Sequence, residues 1–267
     1  MIHGGGDPVS AEVIHGMPSA IYHGIKALSK SGLDQFRKSP AHFRAWQDGT
    51  TKNESSPALE FGTAVHMAIL EPELFAKSYT LFTGDRRNKD GKMAYEAVIA
   101  SGKIPLNQEQ WDNITGAAAA VHAHPTAALL VEKIQTEVSC FDSWNGVKVK
   151  ARIDGLAKDY IIDVKTTQDA SPVAFGKSCA QFRYHVQAAW YQRITGVNRF
   201  IFIAVEKEAP YGVACYELDE QAISLGHIII EEQLRTYVEC EQLNSWPCYS
   251  SHIQSLSLPA WAARQSE

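Results

Sequence analysis

Cysteine is scarce and unpatterned in this chain of 267 residues. The five thiols (Cys140, Cys179, Cys215, Cys240 and Cys248) are odd in number and form no C-x-x-C pair. That argues against a disulfide framework, a zinc ribbon or a cysteine-ligated iron–sulfur cluster. Long apolar runs are also missing. The most apolar stretch, "GAAAAVHAHPTAALLV", is broken by His122, His124 and Pro125 and is too short to span a bilayer, so no membrane partner is expected. The opening "MIHGGGDPVSAEVIHG" has no charged segment leading into an apolar one. A secretory signal is therefore not expected, and a cytoplasmic location is. Basic charge does not dominate: 25 Lys and Arg face 30 Asp and Glu, a formal charge of −5. The bulk charge does not point to nucleic acid, yet it leaves room for a local basic channel. There is no internal repeat and no long low-complexity linker.

What is present reads as one domain over 28–267, preceded by a loose arm over 1–27 that contains Gly-Gly-Gly and Pro. Ser31 is placed to cap a short helix, and Ser39-Pro40 reads as the cap and first position of a second. "PALEFGTAVHMAILEP" predicts a helix from Pro57 to the stop at Pro72. Residues 84–92, "GDRRNKDGK", form a basic, turn-rich loop. Asn107 with Gln110 makes a capping box for the next helix. The period then changes to two. "TEVSCFDSW" meets Asn145-Gly146, a strong hairpin signal, and is followed by "VKVKARID" with Val147, Val149, Ala151 and Ile153 inward and Lys148, Lys150, Arg152 and Asp154 on the other, polar face. "YIIDVKTT" is a third strand, "AQFRYHVQAAWYQRITG" a crossover helix, and two strands and a long helix follow. Hairpins give antiparallel pairs and the crossover permits a parallel one, so the fold class is α/β: a mixed central sheet flanked by helices.

Asp163 and Lys165 stand two apart in a strand that is otherwise apolar, and therefore share a face. Alone, such a pair also fits a partly exposed ion pair of small value. Asp154, nine residues earlier at the end of the preceding strand, changes the reading. Two nearby carboxylates repel unless a cation lies between them, and oxygen donors suit Mg²⁺ or Mn²⁺. Such an ion acidifies bound water and offsets charge on a phosphodiester, and Lys165 could serve the attacking water or the phosphate. Glu137 could approach the same place, or be an exposed strand glutamate. His66, one turn after Gly62 on its helix, could be a ligand or a structural histidine. Gln187 and Tyr191 share a helical face and could reach the site.

The ordered set resembles the RecB-like branch of the PD-(D/E)XK nuclease superfamily. It runs His in a first helix, Glu, Asp, Asp-x-Lys, then Gln-x-x-x-Tyr. Within it, "YHGIKALSKSGLDQFRKSPAHFRAW", "LEFGTAVHMAILEP", "RIDGLAKDYIIDVKTT", "FRYHVQAAWY" and the terminal "WP…SLSLPAW" resemble RecE-type exonucleases, the exodeoxyribonuclease VIII family. These segments keep the family's order from about residue 22 to residue 261. The resemblance implies a metal held by His66, Asp154, Asp163 and the Val164 carbonyl, with Lys165 catalytic and Glu137, Gln187 and Tyr191 at motif positions. It further implies 5′→3′ degradation of linear double-stranded DNA from its ends and a ring-shaped tetramer. A RecT-type single-strand annealing partner and a role in phage or prophage recombination complete the expectation. The Asp154–Asp163 spacing is shorter than the family suggests, but it falls in a turn, where length varies easily. Arg86, Arg87, Lys89 and Lys92 are candidate DNA contacts in the basic loop, and Arg37, Lys38 and Arg44 are candidates for gripping a 5′ end.

Overall fold

A computed structural model describes residues 11–51 and 56–258 of the chain. The first ten residues of the expected arm, part of "NESSP", and the last three residues of "SLSLPAW" lie outside the described residues. The chain runs β1 (Glu12–Ile14), α1 (Ser19–Gly24), α2 (Lys30–Phe36), α3 (Pro40–Gln47), α4 (Pro57–Leu70), α5 (Pro72–Ser78) and β2 (Tyr79–Leu81). It continues through α6 (Lys89–Ala100), β3 (Ile104–Leu106), α7 (Gln108–Ala123), α8 (Pro125–Glu132), β4 (Gln135–Trp144), β5 (Val147–Leu156) and β6 (Ile161–Thr167). The last elements are α9 (Pro172–Gln181), α10 (Tyr184–Thr195), β7 (Phe200–Glu206), β8 (Val213–Glu217) and α11 (Glu220–Leu243).

Six strands form the central sheet in the order β1-β4-β5-β6-β7-β8, and β2 and β3 make a small separate parallel pair. Only β6 and β7 are parallel within the main sheet, because α9 and α10 carry the chain across between them. The β4–β5 hairpin turns on Asn145 and Gly146, both at positive φ, as a two-residue type I′ connection requires. The mixed sheet with helices on both faces is the expected fold class. One face packs against α2, α3, α9, α10 and α11 around Trp190, Phe43 and Phe202, and the other against α4, α5, α7 and α8 around Ile162, Val164 and Ile203. Strand β7, "FIFIAVE", is apolar on both sides because it feeds both cores. Among the described residues no single helix is long and apolar enough to cross a membrane. The apolar pair α7 and α8 bends by 91°.

Several boundaries depart from the sequence reading. Residues 12–14, expected in the loose arm, pair antiparallel with β4. The ammonium of Lys150, expected on an outward polar face, is buried and donates to the carbonyls of Tyr22 (2.8 Å) and Ile25 (2.7 Å), stapling this segment to the sheet. Ser29 rather than Ser31 caps α2, accepting from Gly32 N. The basic loop ends at Asn88, whose side chain caps α6, so Lys89 and Lys92 are helical. The crossover helix is broken at Arg183, which adopts a left-handed conformation (φ 56°). Its buried guanidinium is held by Leu33 O, Asp34 and Gln233, which fixes the break.

Helices α10 and α11 approach closely at Gly226, where an added Cβ would lie 2.5 Å from the His185 carbonyl oxygen. Gly226→Ala gains about 1 kcal/mol of helix propensity but forces a backbone contact that cannot rotate away. Overpacking at the upper end of the usual range of about 1–3 kcal/mol wins. The expected net loss, on the order of 2 kcal/mol, is read as a lower urea midpoint with unchanged slope.

Candidate active site

The site lies where β5 and β6 part. The two strands are paired only at Gly155–Ile162 and Leu156–Ile161, so the next position along, Asp154 opposite Asp163, opens a fork. Side-chain alternation also slips here. Ile153 packs in the α10 core, whereas Gly155 sits against Ile134 and Ile162 of the other core, although strict alternation puts both on one face. Across the ladder, Glu137 takes a left-handed φ of 54°, uncommon for a residue with a side chain.

Inside the fork the Asp154 carboxylate replaces missing ladder bonds: Oδ2 accepts from Val164 N at 3.1 Å. Ile161 N donates to Arg199 O and Lys207 N donates to Thr167 O, so alternate residues of β6 turn their amide groups toward the β7 side. Val164, in the opposite phase, therefore points its carbonyl as well as its N–H into the fork. Helix α4 starts at the Ser56 cap and Pro57, and buries Ala64, Val65, Ala68 and Ile69. That rotation brings His66 to the fork, with Nδ1 3.2 Å from Asp154 Oδ2. Gly62 on the same helix faces Thr166 of β6.

On the α10 side, Asp163 is 1% exposed. Its Oδ1 accepts from Gln187 Nε2 at 2.5 Å, and Lys165 Nζ lies 2.6 Å from Oδ2. Both Asp163 oxygens are thus held inside the protein, Oδ1 by Gln187 and Oδ2 by the Lys165 ammonium. Lys165 also lies 4.7 Å from the centre of the Tyr184 ring. Burial raises the Asp163 carboxyl above the usual range despite Lys165. Burial acts the same way on Asp154, but His66, Lys165 and the Val164 N–H outweigh it and hold that carboxyl low. For His66 and Lys165, burial opposes charge and the carboxylates overcome it, so both are held above their ordinary values. Burial, reinforced by Asp163, pushes the Tyr191 phenol well up, leaving it protonated.

The structure thus brings His66, Asp154, Asp163, Val164, Lys165 and Gln187 to one fork, with Tyr191 one helical turn behind Gln187. Glu137 is engaged elsewhere: it forms a 2.5 Å ion pair with Arg152, which also donates to Met17 O. Among the described residues no three His, Cys, Asp or Glu side chains converge into a ready-made metal cage. The carboxylates are instead neutralised by the protein's own His66 and Lys165. The donor set still fits an oxygen-preferring divalent cation, since it supplies two carboxylates, a carbonyl and an imidazole. Such an ion would share the Asp163 Oδ2 that Lys165 now holds.

The candidate DNA contacts divide into two groups. Arg37 and Lys38 line a cavity of about 700 Å³ with Arg183, while Arg44 pairs with Asp48 and lies over Trp246. Arg87 pairs with Asp85, and Arg86 stacks on Tyr95. Two residues near Lys165 went unread in the sequence. Tyr184 sits three before Gln187 on the same helical face, a spacing that could have revealed it. Lys30, paired with Asp34, is close enough to Lys165 to feel its charge and carried no local signal.

This fork of paired carboxylates and a lysine, set in a mixed sheet between helical layers, defines a PD-(D/E)XK-like nuclease fold. The chain belongs to the family described as PDDEXK-like domain of unknown function (DUF3799), whose model matches residues 29–259. A provisionally named exonuclease from Eubacterium rectale shares the fold, with a TM-score of 0.64 at 14% identity over 92% of this chain and 97% of that one. LHK-Exo in complex with dAMP aligns with a TM-score of 0.36 at 16% identity, covering 81% and 91% of the two chains. SSO0001 aligns at 0.29 with 18% identity, covering 63% and 85%. Among curated proteins none matches the sequence. Family and fold together support a nuclease.

Proposed function

We propose that the protein is a Mg²⁺-dependent exonuclease that degrades linear double-stranded DNA in the 5′→3′ direction and leaves 3′ single-stranded overhangs. The observation that carries the reading is the convergence at one fork of Asp154, Asp163, Lys165, His66, Gln187 and the Val164 carbonyl, the residues that the RecE-like sequence resemblance names. Asp154, Asp163, Val164 O and His66 would hold the ion. When bound, Mg²⁺ or Mn²⁺ would acidify a water and offset charge on the phosphodiester. Lys165, fixed between Asp163 and the Tyr184 ring, presents its ammonium to the attacking water or to a phosphate oxygen. Gln187 orients the Asp163 carboxylate and Tyr191 backs Gln187. Glu137 acts through Arg152 on the shape of the fork.

The RecE-like pattern extends the proposal to a ring-shaped homotetramer around duplex ends. It also extends it to a RecT-type annealing protein that takes up the 3′ strand in phage or prophage recombination. Digestion of 5′-labelled linear duplex beside covalently closed circular duplex tests the direction. Early release of label from linear DNA alone is expected. Cutting of the closed circle would replace the proposal with an endonuclease, and binding without cleavage would replace it with a DNA-end-binding module.

A further inference from the structure

Behind the fork, on the outer side of α4, lies a cleft of about 740 Å³ that the proposed chemistry does not use. Phe61, Tyr79, Phe82 and Tyr95 line it, together with Arg86 and Glu60. Phe82 and Tyr95 meet edge to face at 5.3 Å, and the Arg86 guanidinium lies 3.9 Å from the centre of the Tyr95 ring. Gly84 lets the loop turn tightly over Phe82, since a Cβ there would come within 2.6 Å of that ring. Arg86 forms no ion pair with a carboxylate among the described residues, unlike its neighbour Arg87, which is tied to Asp85. The cleft therefore offers aromatic walls, a planar guanidinium laid over Tyr95, and a volume that suits a planar heterocycle.

Its position joins it to the fork. Thr63 lines the cleft and His66 lines the fork, three residues apart on α4, or about 4.5 Å along the helix.

We propose that this cleft holds an unstacked base of a DNA strand whose backbone reaches the β5–β6 fork, with Tyr95, Phe82 and the Arg86 plane as the stacking surface. The inference rests on the nuclease reading for its ligand, but binding and cleavage are separable. The test uses a short single-stranded oligodeoxynucleotide carrying 2-aminopurine, whose fluorescence is quenched on stacking, titrated in EDTA with the full chain, Tyr95→Leu and exposed-site Arg86→Gln. Quenching by the wild type is expected. Tyr95→Leu should weaken binding about tenfold and abolish the quench, and Arg86→Gln should weaken binding severalfold and lower the salt slope by about one. Unchanged affinity and quench in both variants, or no quench with the wild type, overturns the proposal, as does competition by deoxyadenosine monophosphate as strong as that of the oligonucleotide. Cleavage of linear duplex in Mg²⁺ by the same preparations separates the two readings. Quench without cleavage keeps the cleft and removes the nuclease, and cleavage without quench does the reverse.

Discussion

Lys165→Met is expected to slow phosphodiester hydrolysis by about 10²–10³-fold, the usual loss when one preorganised electrostatic donor is removed. Methionine keeps the length and the apolar packing against Tyr184 but removes the charge that lies 2.6 Å from Asp163. DNA affinity should change little, because one of many phosphate contacts is lost. Stability should fall, since the 1% exposed Asp163 then lacks its resident cation. Added Mg²⁺ should recover part of that stability by taking the vacated role, seen as a larger metal-dependent rise in melting temperature than in the wild type. Single-turnover cleavage and thermal melts with and without Mg²⁺ check both halves. An unchanged cleavage rate would remove Lys165 from the chemistry.

Asp163→Asn and Asp154→Asn are expected to cost at least about 10³-fold in cleavage, because each removes a full negative charge from the proposed ion site. Asparagine at 163 can still accept from Gln187 Nε2, so the fold should survive. Glu137→Gln gives the contrast. Its carboxylate is held by Arg152 rather than turned into the fork, so its loss should stay within about tenfold, equivalent to about 1.4 kcal/mol. Mn²⁺ titration followed by electron paramagnetic resonance adds a readout independent of turnover. Binding should be lost in both aspartate variants and kept in Glu137→Gln. Equal Mn²⁺ binding in all four proteins would place the ion elsewhere.

The elements whose signals are local were legible in the sequence. Asn145-Gly146 announces its hairpin, Ser39-Pro40 and Asn107 with Gln110 announce their helix starts, and Asp163-x-Lys165 announces a shared face. The slip at the fork was not legible, because nothing in "TEVSC" signals that Glu137 takes a left-handed φ opposite Asp154. The docking of residues 12–28 was also hidden. It depends on Lys150 finding backbone carbonyls more than a hundred residues away, where alternation alone assigns that lysine to solvent. The break at Arg183 is likewise tertiary, held by partners on α2 and α11. At the fork, His66, Asp154, Asp163 and Lys165 could be named as candidates from the sequence, but their pairing could not. His66 with Asp154 and Lys165 with Asp163 form two mutually neutralised couples rather than an open cage.

The central claim is that the β5–β6 fork hydrolyses phosphodiesters with the help of a divalent ion. It is tested most directly by incubating the wild-type chain with linear duplex DNA in Mg²⁺, then adding excess EDTA, then restoring Mg²⁺. The expected result is release of nucleotides that stops with EDTA and resumes on restoration. No release in Mg²⁺, or release that continues unchanged in EDTA, would contradict it.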